Sequence, residues 1–408
     1  MSDTLQNKTM NNQSNMNIAC HCCNNTGMTV FYELKNQPVH SVLLMPTREK
    51  AINYPRGDIS LAFCKNCGFI SNTAFDPAHL EYSEKYEETQ GFSSTFNTFH
   101  KNLASYLIDK YGLRNKSIIE IGCGKGEFLT LLCELGENRG VGFDPAYISE
   151  RNQSNAKDRI TFICDLYSEK YANYQGDFVC CKMTLEHIQH TADFVSMIRR
   201  SLGERTDTVV FFQVPDVTRI LNELAFWDIY YEHCSYFSPY SMSYLFKNNG
   251  FDVINVWKGF DEQYLLLEAR PAKGDKEKEC LIKNDDCIDA LSENIEHFSR
   301  NCRYKMNEWR NKIRQFGQNK QRVVIWGASS KGVSFLTSLH IRDEIEFVVD
   351  INPYKQGTFV PGTGQKIVSP DFIKKYKPNV VIIMNPIYRE EIKKDLRGMG
   401  LSTELITV

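Results

Sequence analysis

Between Ser117 and Leu129 the chain reads SIIEIGCGKGEFL, an apolar run carrying Glu120 and then glycines at 122, 124 and 126. That order fits a buried parallel strand, a tight turn and the start of a helix, with the glycines letting a ligand come close to the backbone. Two more strand ends follow at suitable distances: VGFDP puts Asp144 24 residues after Glu120, and ITFICD ends in Asp165. An acid at the tip of the second strand suits a ribose diol. Glu120, Gly122, Gly124, Gly126, Asp144 and Asp165 are therefore the candidate cofactor-binding residues. A glycine turn of this type occurs in many doubly wound sheets and by itself names no ligand.

Length limits how such a sheet can be embedded. With 408 residues the chain is too long for one compact core and calls for two or three domains. A formal charge of -2 argues against a surface that grips nucleic acid throughout. No apolar stretch approaches the roughly 18 residues of a membrane span. The start, MSDTLQNKTMNNQSNMN, lacks the basic and apolar segments of a secretory signal and reads as a disordered polar tail over residues 1–17. The expected location is cytoplasmic. Cys123, Cys164, Cys180 and Cys181 lie in apolar, strand-like contexts and read as buried free thiols.

Four other cysteines form a pattern. Cys20 and Cys23 make one CxxC, in ACHCCN, and Cys64 and Cys67 another, in FCKNCGF. Two such pairs can wrap four thiolates around one tetrahedral Zn²⁺, with no position left open for water. The metal would hold a small module over residues 18–80 together and take no part in chemistry. His21 and Cys22, between the first pair, stand second as ligands because an x2 spacing fits a knuckle better.

After QYLLLEA the composition shifts to the charged ARPAKGDKEKECLIKNDD, which marks a domain boundary near residue 271. Ile288, Leu291, Ile295, Phe298, Cys302, Trp309, Ile313 and Phe316 then fall mostly three or four apart, the stripe of a long amphipathic helix in a linker over 272–319. VVIWGASSKGVSFL repeats the strand, turn and helix order, and EFVVD ends in Asp350, 23 residues after Gly327. A second Rossmann-like unit is expected over 320–408, either a ligand-binding sheet or a scaffold. Read as a nucleotide diphosphate cradle, its helix start and Lys331 would face phosphate, Asp350 a ribose hydroxyl, and Lys355 of the NPYKQG turn the same ligand.

Glu120, separated from GxGxG by the single residue Ile121, resembles motif I of class I methyltransferases that use S-adenosylmethionine, placing that sheet in 81–271. The resemblance then extends along nearly the whole chain. A paired-CxxC N-terminus, motif I, TLEHI, DIYYEHCSYFSPYSM, WGASSKG, VVDINPYKQG and VPGTG occur in one order that looks like the three-domain sugar C-methyltransferases. The resemblance implies an α/β chain with a zinc domain in front, a methyltransferase domain holding S-adenosylmethionine, and a C-terminal domain that helps hold a thymidine-diphosphate ketosugar. Carried over by residue, Gly122, Gly124 and Asp144 would contact the cofactor and His233 would be the general base. Tyr230, Glu232 and His187 match neighbouring active-site positions. Two departures leave room for a sister subfamily with another acceptor: Tyr231 stands where the family often has histidine, and YEETQGFSSTF replaces a tyrosine- and serine-rich stretch.

The residues support the same chemistry independently. A carbon acceptor is inert until a proton beside a carbonyl is removed, which suits a histidine titrating near neutrality. A tyrosine hydroxyl or a second histidine could then serve the enolate oxygen, and Glu232 could fix the tautomer of His233. The runner-up is N- or O-methylation of another small metabolite, with His233 deprotonating a heteroatom. A nucleic-acid reader using the cysteine knuckles is disfavoured by the charge balance and by the lack of a Lys/Arg cluster beside either CxxC.

Overall fold

Strand Ser117–Ile121 is buried on both faces, as its unbroken apolar run requires. Ile118 packs into one core with Phe178, Cys180, Val209 and Phe211, while Ile119 and Ile121 pack into another with Val179 and Phe212. The computed structural model describes residues 15–16, 18–273 and 284–408. Its central sheet has seven strands in the order 251–259, 264–271, 209–215, 178–182, 117–121, 139–143, 160–163. The last five run parallel, and strand 264–271 is antiparallel to both its neighbours. This is the doubly wound sheet of a class I methyltransferase, with helix Glu127–Gly136 starting directly after the glycine turn.

A second, all-parallel sheet of five strands lies toward the C-terminus, in the order 366–368, 347–349, 323–326, 380–383, 404–407. Helix Asn284–Gln318 connects the two sheets along the chain. Its residues Leu291, Ile295, Phe298, Cys302, Trp309, Ile313 and Phe316 are buried at the spacing that sequence predicts, with Met306 completing the stripe. They share one core with Tyr32 of the N-terminal sheet, Val217 and Ile220 of helix Val217–Asn222, and Val323 and Ile325 of the C-terminal sheet.

The N-terminal sheet is antiparallel, with five strands: 15–16, 28–38, 56–63, 70–72 and 235–236. Its last strand, Ser235–Tyr236, comes from the middle of the chain, two residues after His233. The front module is thus completed by the segment expected to carry catalysis. Most of the polar tail lies outside the described residues, but Asn15–Met16 pairs with Met28–Thr29. The charged stretch 274–283 also lies outside them. One thiol departs from expectation: Cys164, at the end of its strand, is exposed, whereas Cys123, Cys180 and Cys181 are buried. Among the described residues no helix is long and apolar enough to cross a membrane.

Candidate active site

A cavity of about 800 Å³ opens between the central and C-terminal sheets. One wall is the glycine turn. Gly122 has φ +68° and Gly124 φ +54°; a Cβ on Gly122 would run into the Thr184 hydroxyl, and one on Gly124 would lie 2.5 Å from Glu88 Oε1. Only glycine leaves this surface open to a ligand. Asp144, at the tip of the neighbouring strand, faces the same space. Its Oδ2 accepts from the Gly124 amide at 2.8 Å and its Oδ1 from the Ala146 amide at 2.7 Å. Those two bonds fix the carboxylate and leave lone pairs for a diol, so turn and acid fit an adenosyl cofactor.

The other candidates on this wall differ in what they do. Glu120 accepts from the Leu129 amide at 2.9 Å and ties the strand to the following helix. Burial pushes its carboxyl up to about 7, against the pull of Lys182. A Cβ on Gly126 would meet the Phe162 ring, so that glycine serves packing. Asp165 stands at the rim, held by Lys170 and by the Tyr171 hydroxyl at 2.7 Å, its carboxyl lowered to about 2 by those partners.

His187 and His233 meet deeper in the cavity, their ring centroids 4.7 Å apart and nearly perpendicular. His187 sits in the turn Leu185–His187 that follows strand Phe178–Lys182, and its Nδ1 lies 3.1 Å from the Tyr82 hydroxyl. The Tyr230 ring centroid is 4.1 Å from that of His233. Burial lowers the His187 imidazole to about 4 and holds His233 well below the usual histidine value, with His187 and Lys331 adding to the latter. Both rings are therefore neutral at physiological pH, the form a base needs.

Glu232 does not join them. Its carboxylate turns toward the N-terminal sheet, where it accepts from His40 Nδ1 at 2.9 Å, from the Ser41 amide at 3.2 Å and from the Ser41 hydroxyl. Burial pushes this carboxyl up, but His40 and Ser41 outweigh burial and hold it below its usual value. The expectation that Glu232 fixes the His233 tautomer is therefore corrected: the group beside His233 is Glu186, whose Oε1 lies 3.9 Å from Nε2.

The opposite wall belongs to the C-terminal sheet. Asp350 Oδ2 accepts from the Ala328 amide at 2.8 Å and Oδ1 from the Asn352 amide at 2.8 Å. The arrangement repeats that of Asp144, one bond from the glycine turn and one from the residue two positions on. Lys355 donates to the Ala328 carbonyl at 3.1 Å and also borders the cavity. Lys331 borders it too, but its ammonium pairs with Asp228, which Arg219 also contacts at 3.2 Å. Arg219 also pairs with Glu223 at 2.7 Å, so the two cations near the start of helix Ser330–Ser338 are matched by two carboxylates.

Away from the cavity the four cysteine sulfurs of the two CxxC pairs lie within 4.8 Å of one another. Cys20 to Cys67 and Cys23 to Cys64 are each 3.6 Å. Tetrahedral Zn²⁺ with Zn–S of about 2.3 Å spaces its sulfurs about 3.8 Å apart, so the donor set fits zinc. His21 instead stacks edge-on with His190 at 4.5 Å.

Residues 96–256 match the family model described as a methyltransferase domain, and residues 275–404 match the C-methyltransferase C-terminal domain. The C-methyltransferase NovU of Streptomyces niveus is 26% identical over 309 residues, covering 72% of this chain and 72% of its own. The chain thus carries a methyltransferase domain and a C-methyltransferase C-terminal domain and is an S-adenosylmethionine-dependent methyltransferase. Among solved structures, magnesium protoporphyrin IX methyltransferase ChlM of Synechocystis PCC 6803 aligns with TM-score 0.35 and 15% identity, over 44% of this chain and 84% of its own. The PH0226 protein of Pyrococcus horikoshii OT3 aligns with TM-score 0.36 and 17% identity, over 45% and 94%.

Sequence reasoning about this methyltransferase missed His40, Tyr82, Glu88 and Glu186. The last adjoins His187 in the LEHI motif, so a signal was present there. Glu88 lies in the departing stretch YEETQGFSSTF, and its Oε2 is buried with no hydrogen-bond partner beside the glycine turn. Burial pushes that carboxyl up to about 8.

Proposed function

We propose that the enzyme methylates a carbon of a nucleotide-linked ketosugar and that His233 removes the carbon-bound proton. The observation carrying this reading is a single cavity walled on one side by Gly122, Gly124 and Asp144 and on the other by Gly327, Asp350 and Lys331, with His233 on its surface. Two ribose-type acids bound to their turns in the same way support two nucleoside sites facing each other across the histidines. S-adenosylmethionine supplies the electrophilic methyl group when bound. The chain's own contribution is to hold both ligands in line, to keep water out, and to present an uncharged imidazole. His187, oriented by Tyr82, and Tyr230 are candidates to donate to the enolate oxygen. Lys331, Asp350 and Lys355 would hold the nucleotide part of the acceptor, and Glu120 and Asp165 would border the cofactor.

Cys20, Cys23, Cys64 and Cys67 would hold one structural Zn²⁺ within the module 18–80, with 81–271, 272–319 and 320–408 as the remaining units. The mechanism is tested with thymidine-diphosphate 4-keto-6-deoxyglucose as acceptor in deuterated water. The wild type should exchange the proton beside the carbonyl. His233→Ala should lose that exchange and lower turnover by about 10² to 10⁴ while still binding S-adenosylmethionine. Wild-type exchange and turnover in that variant would exclude His233 as the base.

A further inference from the structure

Glu186 is the least explained polar group in the cavity. Its side chain is 1% exposed, and neither carboxylate oxygen has a hydrogen-bond partner. Its main chain is fixed, because its carbonyl accepts from the Cys234 amide at 3.0 Å, which locks the His187 turn against the His233 segment. A buried carboxyl left without partners carries a desolvation cost that a folded protein seldom leaves unused. The nearest basic atom is His233 Nε2, at 3.9 Å.

The other groups around His233 cannot serve as its counter-charge. Tyr230 and Tyr236, on its own segment, are neutral, their hydroxyls raised by burial. His187, across from it, is neutral as well. Lys331, from the C-terminal helix, is a cation. Asp228 already serves Lys331 and Arg219, and Glu232 is engaged by His40 and Ser41. Around Glu186 itself stand Cys181, Tyr82, Tyr230 and Cys234, none of them cationic, and the neutral His187, with a ring nitrogen within 4.8 Å.

We infer that Glu186 is the charge partner of His233, a positioning residue whose carboxylate receives the N–H of the imidazolium formed during proton abstraction. The inference rests on His233 being the base. In that step the acceptor's C–H bond breaks and its proton passes to the ring of His233, while the electron pair stays on the substrate as an enolate. The imidazolium N–H then donates to Glu186. The enolate carbon forms its bond to the methyl group as the C–S bond breaks, and that bond's electrons remain on sulfur. Burial raises the Glu186 carboxyl to about 8 and lowers His233, so the ring is uncharged near neutrality and the carboxyl beside it takes up negative charge as pH rises through that region.

The test follows the His233 Cε1 proton resonance of the full-length protein by NMR as a function of pH, assigned by its loss in His233→Ala. In the wild type it should shift through an inflection near pH 8, where Glu186 ionises. Glu186→Gln should remove the inflection, and Glu186→Asp should keep it with a displaced midpoint. An inflection unchanged in Glu186→Gln, or absent from the wild type, overturns the inference. If Glu186→Gln fails to fold, an undisplaced midpoint in Glu186→Asp does the same. The readout needs no acceptor, so it stands apart from the exchange experiment, whose failure would reject the base and leave the Glu186–His233 coupling measurable.

Discussion

Asp144 and Asp350 present the same device twice: a carboxylate held by two amides, with its outer lone pairs turned to the cavity. Asp144→Ala should weaken S-adenosylmethionine binding by about 1.5–3 kcal/mol per charged hydrogen bond lost, as read by calorimetry, and Asp350→Ala should leave that binding intact and raise the KM for the nucleotide sugar. His100 allows a pH prediction. Burial and then Lys182 lower its imidazole to about 2, so the unfolded chain takes up its proton near pH 6.5 while the folded chain does not. Stability should therefore be full above about pH 6.5 and fall as pH drops below it, with a shallower slope in His100→Gln by thermal melts. Residue by residue, the sequence showed which types assemble, because glycine turns and strand-tip acids are local. It did not show that Glu232 turns away and Glu186 turns in. Side-chain direction in the loop around His233 is set by His40 and Ser41, some 190 positions earlier, which no local spacing encodes.

At the scale of elements, the two CxxC turns are fastened to both histidine segments. The His21 carbonyl accepts from the Thr191 hydroxyl and the Ala192 amide, at the start of the helix after His187. Ser235–Tyr236 pairs with Ile70–Ser71, just past Cys67. Cys64→Ser should abolish zinc binding and lower the melting temperature, because metal affinity in such modules is folding energy. Metal analysis of freshly purified protein should give one zinc per chain, and none in the variant. The cysteine spacing paired the two CxxC turns and the two doubly wound sheets were legible from strand and turn order, since each signal lies within a few dozen residues; the antiparallel N-terminal sheet was not read. The two-residue strand that closes the N-terminal sheet was not, because it is too short to carry a period of its own.

Across the whole molecule the halves are joined without a clean seam. The Gln263 and Asn385 amides donate to each other at 3.0 and 2.9 Å, and Glu391 accepts from the Ser94 and Thr95 amides at the start of helix Ser94–Tyr111. Glu391→Ala should lower stability by about 0.5–2 kcal/mol in denaturant melts, the usual value of a lost helix cap. Helix Asn284–Gln318 lies in one core with the N-terminal and C-terminal sheets and helix Val217–Asn222, so ending the chain near Pro271 would strip that core rather than release an independent enzyme. Strand Ser235–Tyr236 has a parallel consequence for anyone recombining this enzyme with a relative to change its acceptor. A graft that takes the front module from one parent and residues 230–236 from the other breaks a sheet at the point where the histidine is anchored. The workable crossover points therefore lie where these two segments travel together.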